Sequence, residues 1–224
     1  MAKDKTGRLH VTVKTPGKRK LSSKLWLERQ LNDPYVAQAK RLGYRSRAAF
    51  KLIEIDDKYH LLKPGMTVVD LGAAPGGWSQ IAAKRVCAAD GKGRVVAIDR
   101  LEMPEIAGVQ FAQLDFLDQD APETLIAMLG GRADAVLSDM AANTTGHRKT
   151  DQLRIVGLVE AAALFACEVL KPGGTFLAKV FQSGADADLL VQLKRDYANV
   201  RHVKPASSRQ DSSERYVLAT TFRG

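Results

Sequence analysis

From Lys63 onward the chain alternates short β-rich runs with longer helical stretches, and this rhythm constrains the fold more than any other feature. The runs are Thr67–Leu71, Arg94–Asp99, Val109–Leu114, Ala133–Ser138, Gly174–Phe181, Val200–Lys204 and Tyr216–Phe222. Turn glycines stand just ahead of several of them, at Gly65, Gly91, Gly93, Gly130, Gly131, Gly173 and Gly174. A helix between two strands carries the chain back across the sheet, so this spacing predicts a mostly parallel sheet covered by helices. The last two runs are joined by a polar loop, Pro205–Glu214, which suits an antiparallel final hairpin. The expected fold class is α/β, Rossmann-like, with a seven-stranded, mostly parallel sheet and one antiparallel strand. The 224 residues suffice for one such domain.

Ahead of this unit, Ser23–Tyr59 reads as helix in two pieces, with Asn32-Asp33-Pro34 as the break and the start of the second piece. Residues 1–24 are polar and basic with little apolar periodicity, and read as a mobile arm. Residues 25–224 then form the domain. The charge is uneven: residues 1–51 hold 14 Lys and Arg against 3 Asp and Glu, while the other 173 hold 20 against 22. A basic front on a near-neutral body is the electrostatic footprint expected for a polyanion partner. A solubilising tail is the plainer alternative.

Other classes are disfavoured. Met1–Lys20 lacks the apolar core of a signal peptide. The most apolar stretch, Ile155–Leu170, is short for a membrane span and carries Glu160 and Glu168. Cys87 and Cys167 alone make no disulfide framework, and four histidines without ligand spacing suggest no metal site. The expectation is a monomeric cytoplasmic protein.

The segment from Val68 to Trp78 (VVDLGAAPGGW) carries the first chemical signal. A strand runs into a glycine-rich turn and then a helix, at the sheet edge where open α/β folds bind ligands. A dinucleotide site wants G-x-G-x-x-G and a P-loop wants G-K-[ST]. Here position 74 is Ala, Pro75 removes a backbone donor, and Gly77 is followed by Trp78-Ser79. The acidic strand end Asp70 beside Gly72, Gly76 and Gly77 suits a cationic ligand such as S-adenosylmethionine. The next strand ends at Asp99, placed for ribose hydroxyls, and the third at Asp115, placed for an adenine amino group. Any single Asp there is equally well a turn residue. The ordered set with the glycine turn is more specific.

The fourth and fifth strands end at Ser138-Asp139 and Lys179-Val180-Phe181, which sets Asp139 and Lys179 side by side. Lys179 interrupts an apolar strand. A snorkelling lysine is the commoner outcome; the functional reading is an amine serving as a base. Burial and a neighbouring cation such as Lys51 favour the neutral amine, and a carboxylate opposes it.

These segments, together with Tyr44–Leu52 (YRSRAAFKL) and Lys204–Arg209 (KPASSR) followed by Glu214 and Tyr216, resemble the FtsJ family of ribose 2′-O-methyltransferases, particularly the bacterial branch acting on large-subunit ribosomal RNA. The resemblance runs from about Leu25 to Thr220. It implies an S-adenosylmethionine-dependent methyltransferase fold. The family's Lys-Asp-Lys-Glu tetrad falls on Lys51, Asp139, Lys179 and Glu214. Its cofactor contacts fall on Gly76, Trp78, Asp99, Asp115 and Asp139. The implied target is a uridine ribose in the A-loop of 23S rRNA, within the large ribosomal subunit. Lys40, Arg45, Arg47, Lys204 and Arg209 are the expected phosphate contacts, which position RNA without reading it. The chain departs from the family at Ala142, where a proline is usual, and in its longer arm. Rival readings are a different RNA target, a non-catalytic assembly factor and a nicotinamide-dependent oxidoreductase. Deleting residues 1–24 should weaken RNA binding and flatten its salt dependence, measured as log Kd against log salt.

Overall fold

The computed structural model describes residues 11–13, 21–142, 148–181 and 187–224. Three N-terminal helices, α1 (Leu21–Leu31), α2 (Pro34–Leu42) and α3 (Ala48–Tyr59), precede the sheet. The expected break at Asn32–Pro34 is present: Asp33 caps α2, accepting a hydrogen bond from Tyr35 N at 3.0 Å, and Pro34 supplies the first turn. The second expected piece is itself divided. Gly43 adopts φ +74° and closes α2, so the chain turns before Ala48. Most of the expected arm lies outside the described residues. Its residues 11–13 run along α1, where Val11 exchanges hydrogen bonds with the Asn32 side chain and Val13 N donates to Glu28 at 3.0 Å.

The strands are β1 (Thr67–Leu71), β2 (Arg94–Asp99), β3 (Val109–Gln113), β4 (Ala133–Ser138), β5 (Leu170–Phe181), β6 (Tyr197–Val203) and β7 (Glu214–Phe222). They form one sheet in the order β3-β2-β1-β4-β5-β7-β6. The first five run parallel, and β7 is antiparallel to both neighbours. The remaining helices are α4 (Gly77–Val86), α5 (Ala121–Leu129), α6 (Arg148–Val169) and α7 (Ala187–Asp196). β5 starts four residues earlier than its sequence suggests. Its Lys171–Gly174 segment forms an irregularity, with Ala133 facing Leu170 and Ala135 facing Thr175. Turn-type residues there conceal a strand start, as bulges commonly do.

Because side chains alternate across a strand, each strand feeds two cores. Val69, Leu71, Ile98, Val136, Phe176 and Val217 pack with α5, α6 and α7. Val68, Leu137, Leu177 and Leu218 pack with α3 and α4. By the same parity Asp70, Lys179 and Tyr216 face the α3–α4 side. The sheet order reverses between β1 and β4, which leaves a crevice at their carboxyl ends. Leu137 is wholly buried in the central β4. Leu137→Ala should therefore cost about 2–5 kcal/mol, read from the urea unfolding midpoint.

Candidate active site

The crevice is a cavity of about 680 Å³. Its polar groups are Asp99, Arg100, Asp115, Asp139 and Arg154, and its apolar walls include Ile98, Phe116 and Leu158. Two carboxylates are held by their own turns: Asp99 accepts from Ala74 N at 2.9 Å and Leu101 N at 2.8 Å, and Asp115 accepts from Leu117 N at 3.1 Å. Each keeps lone pairs for a ligand's hydroxyl or amino groups. Gly72 lies on the floor at φ +77°, where a Cβ would sit 2.7 Å from Met140 Cγ. Acidic groups around an apolar slot fit a nucleoside bearing a positive charge.

Of the expected cofactor residues, Gly72, Asp99, Asp115 and Asp139 line this cavity, whereas Asp70, Gly76, Gly77 and Trp78 lie outside its lining. Parity turns Asp70 towards α4, where Ser79 Oγ donates to its Oδ2 at 2.6 Å and its buried Oδ1 has no partner among the described residues. Gly76 and Gly77 allow α4 to approach the preceding helical block. A Cβ at Gly77 would collide with Ser46 Oγ, and one at Gly76 would lie 2.9 Å from Arg45 Cδ. Trp78 is buried, donating from Nε1 to Ala48 O at 2.9 Å.

Beside the cavity, four charged side chains from four separate elements converge. Lys179 Nζ lies 3.1 Å from Asp139 Oδ1 and donates to Asp139 O at 2.6 Å. Lys51 Nζ, from the first turn of α3, lies 2.6 Å from Glu214 Oε1. Tyr216 connects the pairs: its hydroxyl donates to Asp139 Oδ1 at 3.0 Å and lies 3.5 Å from Glu214 Oε1. Ser208 Oγ donates to Glu214 Oε1 at 3.3 Å. Both lysines are more than nine-tenths buried, so each charge is neutralised locally as burial requires. Burial alone would raise the Asp139 carboxyl. The Lys179 and Lys51 ammoniums, with hydrogen bonds from Lys179 and Tyr216, outweigh it and hold the group below its ordinary value. Burial, then the Asp139 and Glu214 charges, push the Tyr216 phenol well above its ordinary value, so it stays a donor.

The basic residues fall into two groups. Lys40 is exposed on α2, and Lys204 is exposed with its amine on the carbonyls of Gln210 and Ser212. The arginines are engaged by other groups of the protein. Arg45 donates to the carbonyls of Pro104 and Glu105. Arg47 and Arg209 both bind the buried Asp33 carboxylate. A positive charge in the sequence does not reveal a buried carboxylate far away in the chain.

A family model described as FtsJ-like methyltransferase matches residues 44–222. The chain belongs to the FtsJ-like methyltransferase family. It is 84% identical to a Bradyrhizobium diazoefficiens protein named ribosomal RNA large subunit methyltransferase E, over all of this chain and 98% of that one. It is 80% identical to a protein of the same name from Rhodopseudomonas palustris strain BisB18, over all of this chain and 94% of that one. A crystal structure of a Plasmodium falciparum protein, provisionally named a ribosomal RNA methyltransferase, superposes with TM-score 0.71 at 30% identity, covering 81% of this chain and all of that one. As a methyltransferase of this family the chain uses S-adenosylmethionine, and the acidic, apolar-walled crevice fits that group.

Tyr216 is the main residue whose part sequence reasoning missed. Its signal is present in retrospect, as a polar aromatic at an inward position of an apolar strand, two residues from Glu214. Among the described residues no cluster of ligating side chains could hold a metal ion, and no helix is long and apolar enough to cross a membrane.

Burial lifts the Asp70 carboxyl to about 7, opposed by the Ser79 hydrogen bond and reinforced by the Asp139 and Asp99 charges. The native state then holds a proton that the unfolded chain releases near pH 4. Stability from this group is complete below about pH 4, declines as pH rises, and is gone above about 7. Relative to Asp70→Asn, the parent protein's melting temperature without cofactor should fall between pH 5 and pH 7 and then level off. A difference that stays constant across that range would mean an ionised carboxylate in the fold.

Proposed function

We propose that the chain methylates a ribose 2′-hydroxyl of large-subunit ribosomal RNA, the target being a uridine in the A-loop of 23S rRNA. The observation that carries the chemistry is the Lys179 amine, held by Asp139 at the edge of an acidic nucleoside-sized cavity. The RNA class follows from full-length likeness to proteins named as large-subunit ribosomal RNA methyltransferases.

When bound, S-adenosylmethionine would supply an electrophilic methyl group on a sulfonium, whose sulfur is left as a neutral thioether once the methyl is transferred. Asp99, Asp115 and Asp139 would hold it, with Asp70, Gly72, Gly76, Gly77 and Trp78 shaping the turn beneath. Lys179 Nζ, in its neutral form, accepts the 2′-hydroxyl proton as that oxygen gains its methyl bond. Asp139 orients the amine through two contacts and stabilises the ammonium that results. Lys51 and Glu214 orient the ribose, and Tyr216 keeps the two ion pairs at fixed separation. Lys40 and Lys204 are the exposed candidates for phosphate contacts, and residues 1–24 would add sequence-independent affinity. All four charged residues come from one chain, so a monomer suffices, and a ribosomal substrate fits a cytoplasmic enzyme.

The test is methyl transfer from labelled S-adenosylmethionine to large ribosomal subunits lacking this modification, to their deproteinised RNA and to transfer RNA, followed by nucleoside analysis. The expected product is 2′-O-methyluridine on subunits. Lys179→Ala should lower the rate about 10²–10⁴-fold while leaving cofactor binding intact. Label on transfer RNA alone would overturn the substrate and keep the chemistry.

A further inference from the structure

We propose that Asp33, far from the cavity in sequence and on a different element from every tetrad member, is a positioning residue for the active site. It acts by clasping Arg47 and Arg209 and so fixing the loop that delivers Glu214. The inference rests on the reading of Glu214 as an active-site residue.

Asp33 is 7% exposed and uses both carboxylate oxygens. Oδ1 caps α2. Oδ2 accepts from Arg47 Nη1, from Arg209 Nε at 3.2 Å and from Arg209 Nη2 at 3.0 Å. The three residues come from the α1–α2 junction, the start of α3 and the loop between β6 and β7. A carboxylate this buried is costly unless paired, so the arginines are drawn to it from both sides.

The clasp continues along the loop. Arg47 Nη2 donates to Ser207 O, and Ser207 N donates to Glu54 Oε2 at 3.0 Å. The next residue, Ser208, donates to Glu214 Oε1. Glu214 N donates to Ser212 Oγ at 3.2 Å. Glu214 is the first residue of β7, so the loop before it sets where its carboxylate points. The same Oε1 accepts from Lys51, which α3 holds in place three residues after the start of that helix. Asp33 thus ties the helix that carries Lys51 to the loop that aims Glu214. Misplacement of a reacting arrangement by about 1 Å can cost on the order of 100-fold in rate, even from a change remote from the chemistry.

This assignment competes with the one the sequence suggests, in which Arg47 and Arg209 hold RNA phosphates. The experiment is single-turnover methyl transfer on large ribosomal subunits lacking the modification, with full-length Asp33→Asn, Glu214→Gln and the double variant. Asparagine retains the helix cap and removes the charge. Asp33→Asn should slow transfer about 10- to 100-fold at saturating RNA, with cofactor and RNA affinity unchanged. In the Glu214→Gln background it should add no further loss, because the two residues act through one contact. Arg209→Gln, which removes the more exposed arm, should show the same pattern with a smaller loss and serves if Asp33→Asn folds poorly.

Equal fold-losses in both backgrounds, or an unchanged rate, would overturn the inference. So would tighter and more salt-sensitive RNA binding by Asp33→Asn, which would assign the arginines to RNA. A Glu214→Gln variant as fast as the parent would instead remove the tetrad reading, and this inference with it.

Discussion

The pairing of β7 against β5 determines the geometry of the site. In that antiparallel register Lys179 faces Tyr216 and Phe181 faces Glu214. Shifting the register by one residue would send Tyr216 to the opposite face of the sheet, away from Lys51 and Trp78. Both faces of β7 are buried, by Val217 and Ala219 on one side and Tyr216 and Leu218 on the other. The hydrophobic cores therefore enforce the register, and the polar cluster inherits its geometry from them. Trp78, with its ring 5.5 Å from that of Tyr216, extends the same wall to the helix that follows the glycine turn.

Within that frame the charges offset one another. Two lysines and two carboxylates sit next to a phenol that burial keeps protonated. Their pairing satisfies four groups that would each be costly to bury alone. Pairing also orders them: Lys179 is held by a side-chain oxygen and a backbone oxygen of one residue, so its amine has little freedom to wander. Preorganisation of this kind means that little has to be rearranged when a reacting hydroxyl arrives.

Much of the fold was legible because the strands announce themselves by period and punctuation. β1, β2 and β4 occupy the spans their sequence predicts. The start of β5 was hidden by Lys171-Pro172-Gly173-Gly174, which reads as a turn yet lies inside an irregular strand. At the candidate site, the strand-end rule accounts for Asp99, Asp115 and Asp139 in the cavity lining and for Lys179 against Asp139, since each position follows from topology. Lys51 and Glu214 lie on a helix and at a loop exit, where no periodicity points to chemistry; Lys51 entered as a candidate neighbouring cation, and family resemblance was needed to assign both to the tetrad. Asp70 shows the limit of the strand-end rule. Its side chain parity turns it to α4 and out of the cavity lining. The arginines show a second limit, because a charge count does not separate groups that face solvent from groups that a buried Asp33 draws inward.

The sheet order places the last strand of the chain between two strands made before it, β5 and β6. During synthesis residues 170–203 are made before residues 214–222, so β5 and β6 can take their pairings with β7 only after both have been made. Such late closure by distant segments is the slow part of folding in sheets of high sequence separation. Glu214 and Tyr216 travel on that final strand. Until β7 is in place, Lys51 and Asp139 lack the Glu214 carboxylate and the Tyr216 hydroxyl that complete the polar cluster, so the cluster beside the crevice is finished only by the last strand of the sheet to be made.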